Sequence, residues 1–366
     1  MKNEILSILG RRIEIHGDDP DLVAPFLTVF DAFRRERGRP ADAGVAAMPL
    51  RVEVNAAAGR FRAGDLEADL VEGPARAGQV YNLLYRALVR GLHDIYLIHA
   101  AVVARDGWAW AISGPSGSGK TSLGRALLAR GFGLLSDDLA PLSVVDRLVH
   151  PFPRRVGIHA ADLLGTATAP GLCLGEKAFV GAADLGLNVV SEPLPPGAVV
   201  IMNPYGSDGV ARLTVGVMPD AEGIVSALGG EAGVSIRSRR RVSAAEIVEI
   251  DLAGGPAIAA AQAAVDRADP HVLFHFRGYG GTKSYVQRPE IETISTHAAA
   301  LGLLRELLNR EPRSALMQRH GGKLGSALFE LVDLLAGVPC YRLRPAGIDA
   351  TAELLTRTFS ACVERS

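Results

Sequence analysis

Lysine, aromatic residues and cysteine are all scarce in this chain, and each scarcity excludes something. Among 39 basic residues the only lysines are Lys2, Lys120, Lys177, Lys283 and Lys323, so each stands out against a background of arginine. The formal net charge is −1 at pH 7, which removes any general electrostatic pull toward nucleic acid or an anionic membrane. Aromatics make up 5%, and no nucleic-acid-binding motif is present, so nucleic-acid binding is not expected. Three cysteines, Cys173, Cys340 and Cys362, lie far apart. Without CxxC or Cys/His ligand spacing, neither a disulfide framework nor a zinc site is indicated. No uninterrupted apolar run reaches the ~18 residues a membrane span needs. Residues 1–19 break their apolar stretch with charges too early for a secretory signal. The expectation is a cytoplasmic protein without membrane contact.

What is present is a 366-residue chain, 48% hydrophobic, long enough for two or three domains. Residues 1–90 read as a small α+β domain, with helical spacing over Leu22–Arg35 and Val80–Arg90, a strand at Leu50–Val54 and a second at Asp65–Glu72. Residues 91–255 open on a hairpin: strand Tyr96–Val103, turn Arg105-Asp-Gly107, strand Trp108–Ser113. A helix over Thr121–Arg130 closes on Gly131, and a strand over Gly133–Ser136 runs into Asp137-Asp138. Val199–Met202 reads as a buried strand. Residues 256–366 turn helical, over Pro256–Arg267, Thr296–Asn309 and Leu324–Ala336, with a strand-like stretch at Val272–Arg277.

The most specific pattern lies between the hairpin and the first of these central helices. Gly114-Pro115-Ser116-Gly117-Ser118-Gly119-Lys120-Thr121 fits G-x-x-x-x-G-K-[ST] at every fixed position. Glycines let the backbone wrap so that successive N–H groups face phosphate oxygens. The helix that follows, carrying Thr121 and Ser122, adds its positive dipole end. Lys120 brings a point charge to the β/γ-phosphates, and the Thr121 hydroxyl is a magnesium ligand. The pattern predicts a bound nucleoside triphosphate, ATP by default, with Mg²⁺.

Phosphoryl transfer also needs a carboxylate, to hold the metal or to accept the nucleophile's proton. Asp137 follows Lys120 by 17 residues, and both Asp137 and Asp138 are expected at the carboxyl end of the next strand. Ligands collect there in a parallel α/β sheet. Two adjacent carboxylates face different ways, so one can reach a substrate hydroxyl and the other the metal; capping a turn before Leu139 is the bland alternative. His99 sits within an apolar strand, where a hydrogen-bonded core histidine is the usual reading. The hairpin that leads into the glycine loop could set it beside the acidic pair, to orient or tune a carboxylate.

The run Ile98-His-Ala-Ala-Val, then Gly114–Ser122, then Leu-Leu-Ala-Arg-Gly-Phe, then Leu-Leu-Ser-Asp-Asp138 resembles the catalytic domain of HPr kinase/phosphorylase and its related proteins. The likeness spans about residues 96–155, with a weaker echo at Val338–Leu343 as a closing strand. It implies an α/β fold: a P-loop kinase core of the HPr kinase C-terminal-domain type, a small N-terminal α+β domain and a helical C-terminal part shaping the substrate site. It further implies Asp137 as general base, Asp138 as its acidic neighbour near the metal, His99 adjoining the base, and a homo-oligomer. The chain has no counterpart of the glycine-rich signature segment of the true HPr enzymes. The closer likeness is therefore to divergent relatives, some of which look like kinases of ribosomal peptide precursors or small hydroxyl compounds.

Three weaker signals complete the reading. Arg154, in Pro151-Phe-Pro-Arg-Arg155, is a candidate contact for phosphates or an acidic substrate. Arg277–Ser284 reads as a mobile glycine-rich loop that would also suit an anion. Arg237–Arg241 is a basic run with a solvated face. The expected activity is transfer of a phosphoryl group to a hydroxyl of a protein, peptide or small compound. An NTP-driven switch acting through a partner and a nucleotide-binding scaffold are the rivals.

Overall fold

The first sheet follows from alternation. In the computed structural model β1 (Lys2–Ile8), β2 (Arg11–Gly17), β3 (Leu50–Asn55), β4 (Arg60–Ala63) and β5 (Leu66–Asp69) pair in chain order. Only β2 and β3 run parallel, joined by a crossover that carries α1 (Pro20–Val29). Along β3, Leu50, Val52 and Val54 are buried while Arg51, Glu53 and Asn55 face outward. The β1–β2 hairpin, which the sequence reading did not anticipate, turns on Leu9 and Gly10. Both are left-handed (φ 50° and 73°), as a two-residue turn of that twist requires. α1 ends at Val29, short of the expected Arg35, and the chain tightens into a 3₁₀ turn at Asp31–Phe33. α2 (Arg76–Arg90) starts a turn earlier than expected. The structure describes residues 2–34, 49–115, 117–159, 172–174, 177–202, 210–217, 222–230, 232–242, 245–268, 272–280 and 286–364.

The central hairpin forms as its sequence predicts. β6 (Ile95–Arg105) and β7 (Trp108–Ser113) are antiparallel, joined through Asp106 and Gly107 at φ 54° and 79°. Then come α3 (Lys120–Leu128), β8 (Gly133–Ser136) and β9 (Leu139–Ser143). Gly131 is left-handed just beyond the helix (φ 88°). A small antiparallel sheet follows, of β10 (Val156–His159), β11 (Leu172–Leu174) and β12 (Lys177–Val180). After it comes β13 (Pro196–Met202).

The next stretch is a unit the sequence reading divided in two. β14 (Val210–Val217), α4 (Glu222–Gly229), β15 (Val234–Val242), β16 (Ala245–Leu252), α5 (Gly254–Ala268) and β17 (Val272–Gly280) form a four-stranded sheet in the order β15-β16-β14-β17. Every neighbour is antiparallel, the split β-α-β-β-α-β arrangement of ferredoxin-like folds. Ala257, Ala261, Ala264 and Val265 of α5 share one core with Leu213, Val215, Val248 and Ile250. The expected boundary at 255/256 falls inside that core. Arg237–Arg241 lies on β15, with Arg237 3.7 Å from Asp251 and Arg239 3.5 Å from Glu246, both in solvent. The segment expected as a loop from Arg277 continues β17 through Gly280, and residues 281–285 lie outside the described residues.

The chain then adds β18 (Glu290–Thr293), α6 (Thr296–Arg305), α7 (Ala315–Arg319), α8 (Leu324–Leu334), β19 (Cys340–Arg344) and α9 (Ile348–Val363). β18, β19, β13, β7, β6 and β8 form one sheet in that order, with β9 also on β6. β7, β13 and β19 are parallel neighbours. On one face Ile98, Ala100, Val102 and Val199 pack under α6 and α8. On the other, Val103, Trp110, Ile112 and Val200 pack under α3 and α9, with Trp110 stacked on Phe359 at 4.4 Å between ring centroids. The expected helical C-terminal part thus also supplies two strands.

By its contacts the chain forms two compact units: Met1–Thr28, Arg34–Ala87 and Tyr205–Lys283 in one, and Val29–Phe33, Leu88–Pro204 and Ser284–Ser366 in the other. The protein is therefore mixed α/β with several sheets. Among the described residues no helix is long and apolar enough to cross a membrane.

Candidate active site

The glycine-rich loop leaves the sheet at Ser113, the end of β7, and enters α3 at Lys120. Its glycines have distinct reasons to be there. Gly117 and Gly119 hold left-handed backbone (φ 75° and 97°), which disfavours any side chain. Gly114 is needed for space, because a Cβ there would lie 2.9 Å from the Met202 carbonyl oxygen and 3.2 Å from Ser118 Oγ. Gly119 caps α3 and offers it no side-chain hydrogen bond, so the first amides of the helix stay available to a ligand. Ser118 is buried at 2% exposure, and among the described residues its hydroxyl has no hydrogen-bond partner. Lys120 turns back on the loop, donating from Nζ to the carbonyls of Gly114 (2.6 Å) and Pro115 (3.0 Å). Thr121 is half-buried and Ser122 exposed on the first turn of α3. Ser116 lies outside the described residues.

The acidic pair follows the carboxyl end of β8, as expected, although that strand pairs antiparallel with β6 rather than in a parallel sheet. β8 and β9 lie end to end along β6, Ser136 opposite Val102 and Leu139 opposite His99, with a register shift between Val102 and Val103. Asp137 and Asp138 follow β8 directly and fill the two-residue gap before β9. The Asp138 carbonyl still accepts from Ala100 N–H at 3.1 Å, so backbone pairing with β6 continues across the gap. Because Ala100 pairs with Ser113, the break lies next to the point where the glycine loop leaves the sheet.

His99 does join the pair. Its Nε2 is 3.2 Å from Asp138 Oδ1, and its Nδ1 is 3.3 Å from Glu306 Oε2. Burial and the Lys120 charge oppose protonation of this ring. Its hydrogen bonds to Asp138 and Glu306 and the Asp138 charge outweigh them, so its pKa lies above the ordinary histidine value. Arg154, expected at a phosphate, lies instead on the acidic pair, where opposite charge draws it. From a 7% exposed position its Nη2 donates to Asp138 Oδ2 at 2.5 Å and its Nε stands 3.5 Å from Asp137 Oδ1. Its guanidinium also sits 5.8 Å from the Phe179 ring centroid. Asp137 Oδ2 accepts the Gly157 amide at 3.2 Å.

These residues meet the needs of a polyphosphate with a divalent cation unevenly. The left-handed glycines, the uncapped helix start, the buried hydroxyl of Ser118 and Lys120 form an anion cradle. Thr121 and Asp137 both border one small, mainly apolar crevice, with Val103, Leu128, Leu134 and Val156. Asp138, expected as a metal ligand, has one oxygen at His99 and the other at Arg154. Among the described residues no cluster of three or more His, Cys, Asp or Glu side chains has the geometry to hold a metal alone.

Glu306 is the site residue that sequence reasoning missed. It was counted within a helix expected over Thr296–Asn309, whereas α6 ends at Arg305. The signal against that helix was Asn309-Arg310-Glu311-Pro312, a breaker sequence whose asparagine proves fully buried.

Fold and site together define a mixed α/β protein in which a glycine-rich strand–loop–helix adjoins a cluster of carboxylates, imidazole and guanidinium. No protein-family model matches the chain, and no curated protein matches it.

Proposed function

We propose that this protein is an ATP- and Mg²⁺-dependent kinase with a P-loop core of the HPr-kinase-like type, acting on a hydroxyl of a protein, peptide or small molecule. The observation that best supports the reading is the glycine-rich strand–loop–helix with the acidic pair one strand away, since Ala100 pairs with Ser113 at the start of the loop and donates to the Asp138 carbonyl. The bound nucleotide with its magnesium would supply the γ-phosphoryl group and a charge-neutralising cation. The loop amides and Lys120 would hold the phosphate oxygens, Lys120 first leaving the carbonyls of Gly114 and Pro115. Asp137 would take the proton of the acceptor hydroxyl, oriented by its hydrogen bond from Gly157. Arg154, hydrogen-bonded to Asp138 and 3.5 Å from Asp137, would balance the charge of the pair. The break between β8 and β9 favours this role, because a continuous strand would fix both side chains in the pleat.

The test is incubation of the protein with γ-labelled ATP and Mg²⁺ in a lysate of the source organism, beside Lys120→Ala and Asp137→Asn. A labelled acceptor that forms with wild type and drops by about 10²–10⁴-fold with Asp137→Asn is the expected result. Full transfer by Asp137→Asn would remove the assigned base, and label released only as inorganic phosphate would favour an NTP-driven switch.

A further inference from the structure

Glu306 has no part in the phosphoryl-transfer scheme, yet the chain goes to some length to put it there. It is the C-cap of α6, where the helix dipole disfavours a negative charge. After Arg305 the chain leaves the helix and crosses the start of β6. Leu307 bridges Ile98, His99 N–H donates to the Glu306 carbonyl at 2.9 Å, and Leu308 N–H donates to the Leu97 carbonyl at 2.9 Å. Buried Asn309 locks this crossing: its Oδ1 accepts from Leu97 N–H at 3.1 Å, and its Nδ2 donates to the Ile95 carbonyl at 2.7 Å. Glu306 is thus held beside His99 by backbone on both sides, and its carboxylate is only 15% exposed at Nδ1 of that ring.

An imidazole with one partner can present either nitrogen by a ring flip; one with a carboxylate at each nitrogen cannot. We propose that Glu306 is a positioning residue: it fixes the His99 ring so that Nε2 faces Asp138, and through it steadies Asp138 beside Asp137. Its kinetic consequence rests on the kinase reading; its effect on the ring does not. Glu306→Ala and Glu306→Gln leave the backbone hydrogen bonds intact. The amide of Gln also keeps an oxygen for Nδ1–H.

Two measurements test this. In ring-nitrogen NMR spectra at one fixed pH, wild type shows a hydrogen-bonded His99 Nδ1–H that is lost in Glu306→Ala and retained in Glu306→Gln. In initial-rate assays Glu306→Ala lowers kcat by about 10–100-fold, the range known for carboxylate partners of functional histidines. KM for the nucleotide stays within about twofold, as expected when the lost interaction does not bind the ground state, and Glu306→Gln recovers most of kcat. An unchanged Nδ1 signal in Glu306→Ala overturns the proposal, as does a wild-type kcat in that variant. If wild type itself transfers no phosphoryl group, the kinase reading fails while the ring signal still decides the role of Glu306.

Discussion

Replacing Gly114 by alanine adds one methyl group where the structure leaves no room. The new Cβ would meet the Met202 carbonyl oxygen at 2.9 Å, the Met202 Cβ at 3.0 Å and Ser118 Oγ at 3.2 Å. Met202 cannot retreat easily, because β13 is hydrogen-bonded to β7 on one side and β19 on the other. The loop must therefore yield. Gly114 is not among the left-handed glycines, so the whole effect is crowding rather than backbone strain. Overpacking a filled site costs about 1–3 kcal/mol. For a folding unit of this size each kcal/mol lowers Tm by about 2–4 °C, giving an expected fall of about 2–12 °C. A loop pushed away from β13 also loses its fit to phosphates. Binding of a fluorescent ATP analogue, read by anisotropy, should weaken by about tenfold or more, the equivalent of 1.4 kcal/mol. A variant that melts with wild type would refute the packing argument outright. A lowered Tm with unchanged nucleotide affinity would refute the claim that this loop is the phosphate cradle.

Gly325→Ala should move the other way: Gly325 lies exposed in α8 with nothing within 4 Å of the added Cβ, so about 0.4–1 kcal/mol of stabilisation should raise Tm. Asn309→Ala leaves the Leu97 amide and the Ile95 carbonyl buried without their partner; a loss of about 1–3 kcal/mol should lower the urea midpoint and speed hydrogen exchange at Leu97. Burial pushes the Cys340 thiol up to about 11, so at pH 8 about one molecule in a thousand carries the thiolate and a thiol reagent should label it only after unfolding. Since the unfolded thiol titrates near 8.5, the unfolded chain binds fewer protons above that pH. This contribution to stability is complete below about pH 8.5 and lost as pH rises toward 11, as a series of melts across that window would show.

How far the sequence could be read depended on how local each feature is. The β6–β7 hairpin is specified by its own residues: an apolar strand, Asp106-Gly107 with the left-handed backbone such a turn needs, and a returning strand. Trp108–Ser113 and Gly133–Ser136 therefore emerge at their expected bounds. The glycine loop is legible for the same reason, since each required conformation is written at its own position. Features set by distant residues were not legible. The break at Asp137-Asp138 exists because β8 and β9 both pair with β6, and nothing in Ser-Asp-Asp-Leu distinguishes that from a strand end. Helical spacing continues through Glu306–Asn309, but four buried hydrogen bonds to β6 outweigh the last turn of helix.

The unit at Val210–Gly280 shows the same limit on a larger scale. Its two helices and four strands have ordinary local patterns, and the split between strand-rich and helix-rich composition near residue 255 reads as a boundary. The pairing of β14 with β17, which sets Val217 opposite Val272 and Val210 opposite Gly280, cancels that boundary, and only long-range register reveals it. The same logic bears on Glu306. A residue whose role depends on a partner some 200 positions away leaves no local signature, so its function must be sought where the backbone departs from local preference. At the end of α6 the chain gives up helical hydrogen bonds and sets a carboxylate against the helix dipole. The compensating contact is the imidazole of His99, one ring away from the acidic pair.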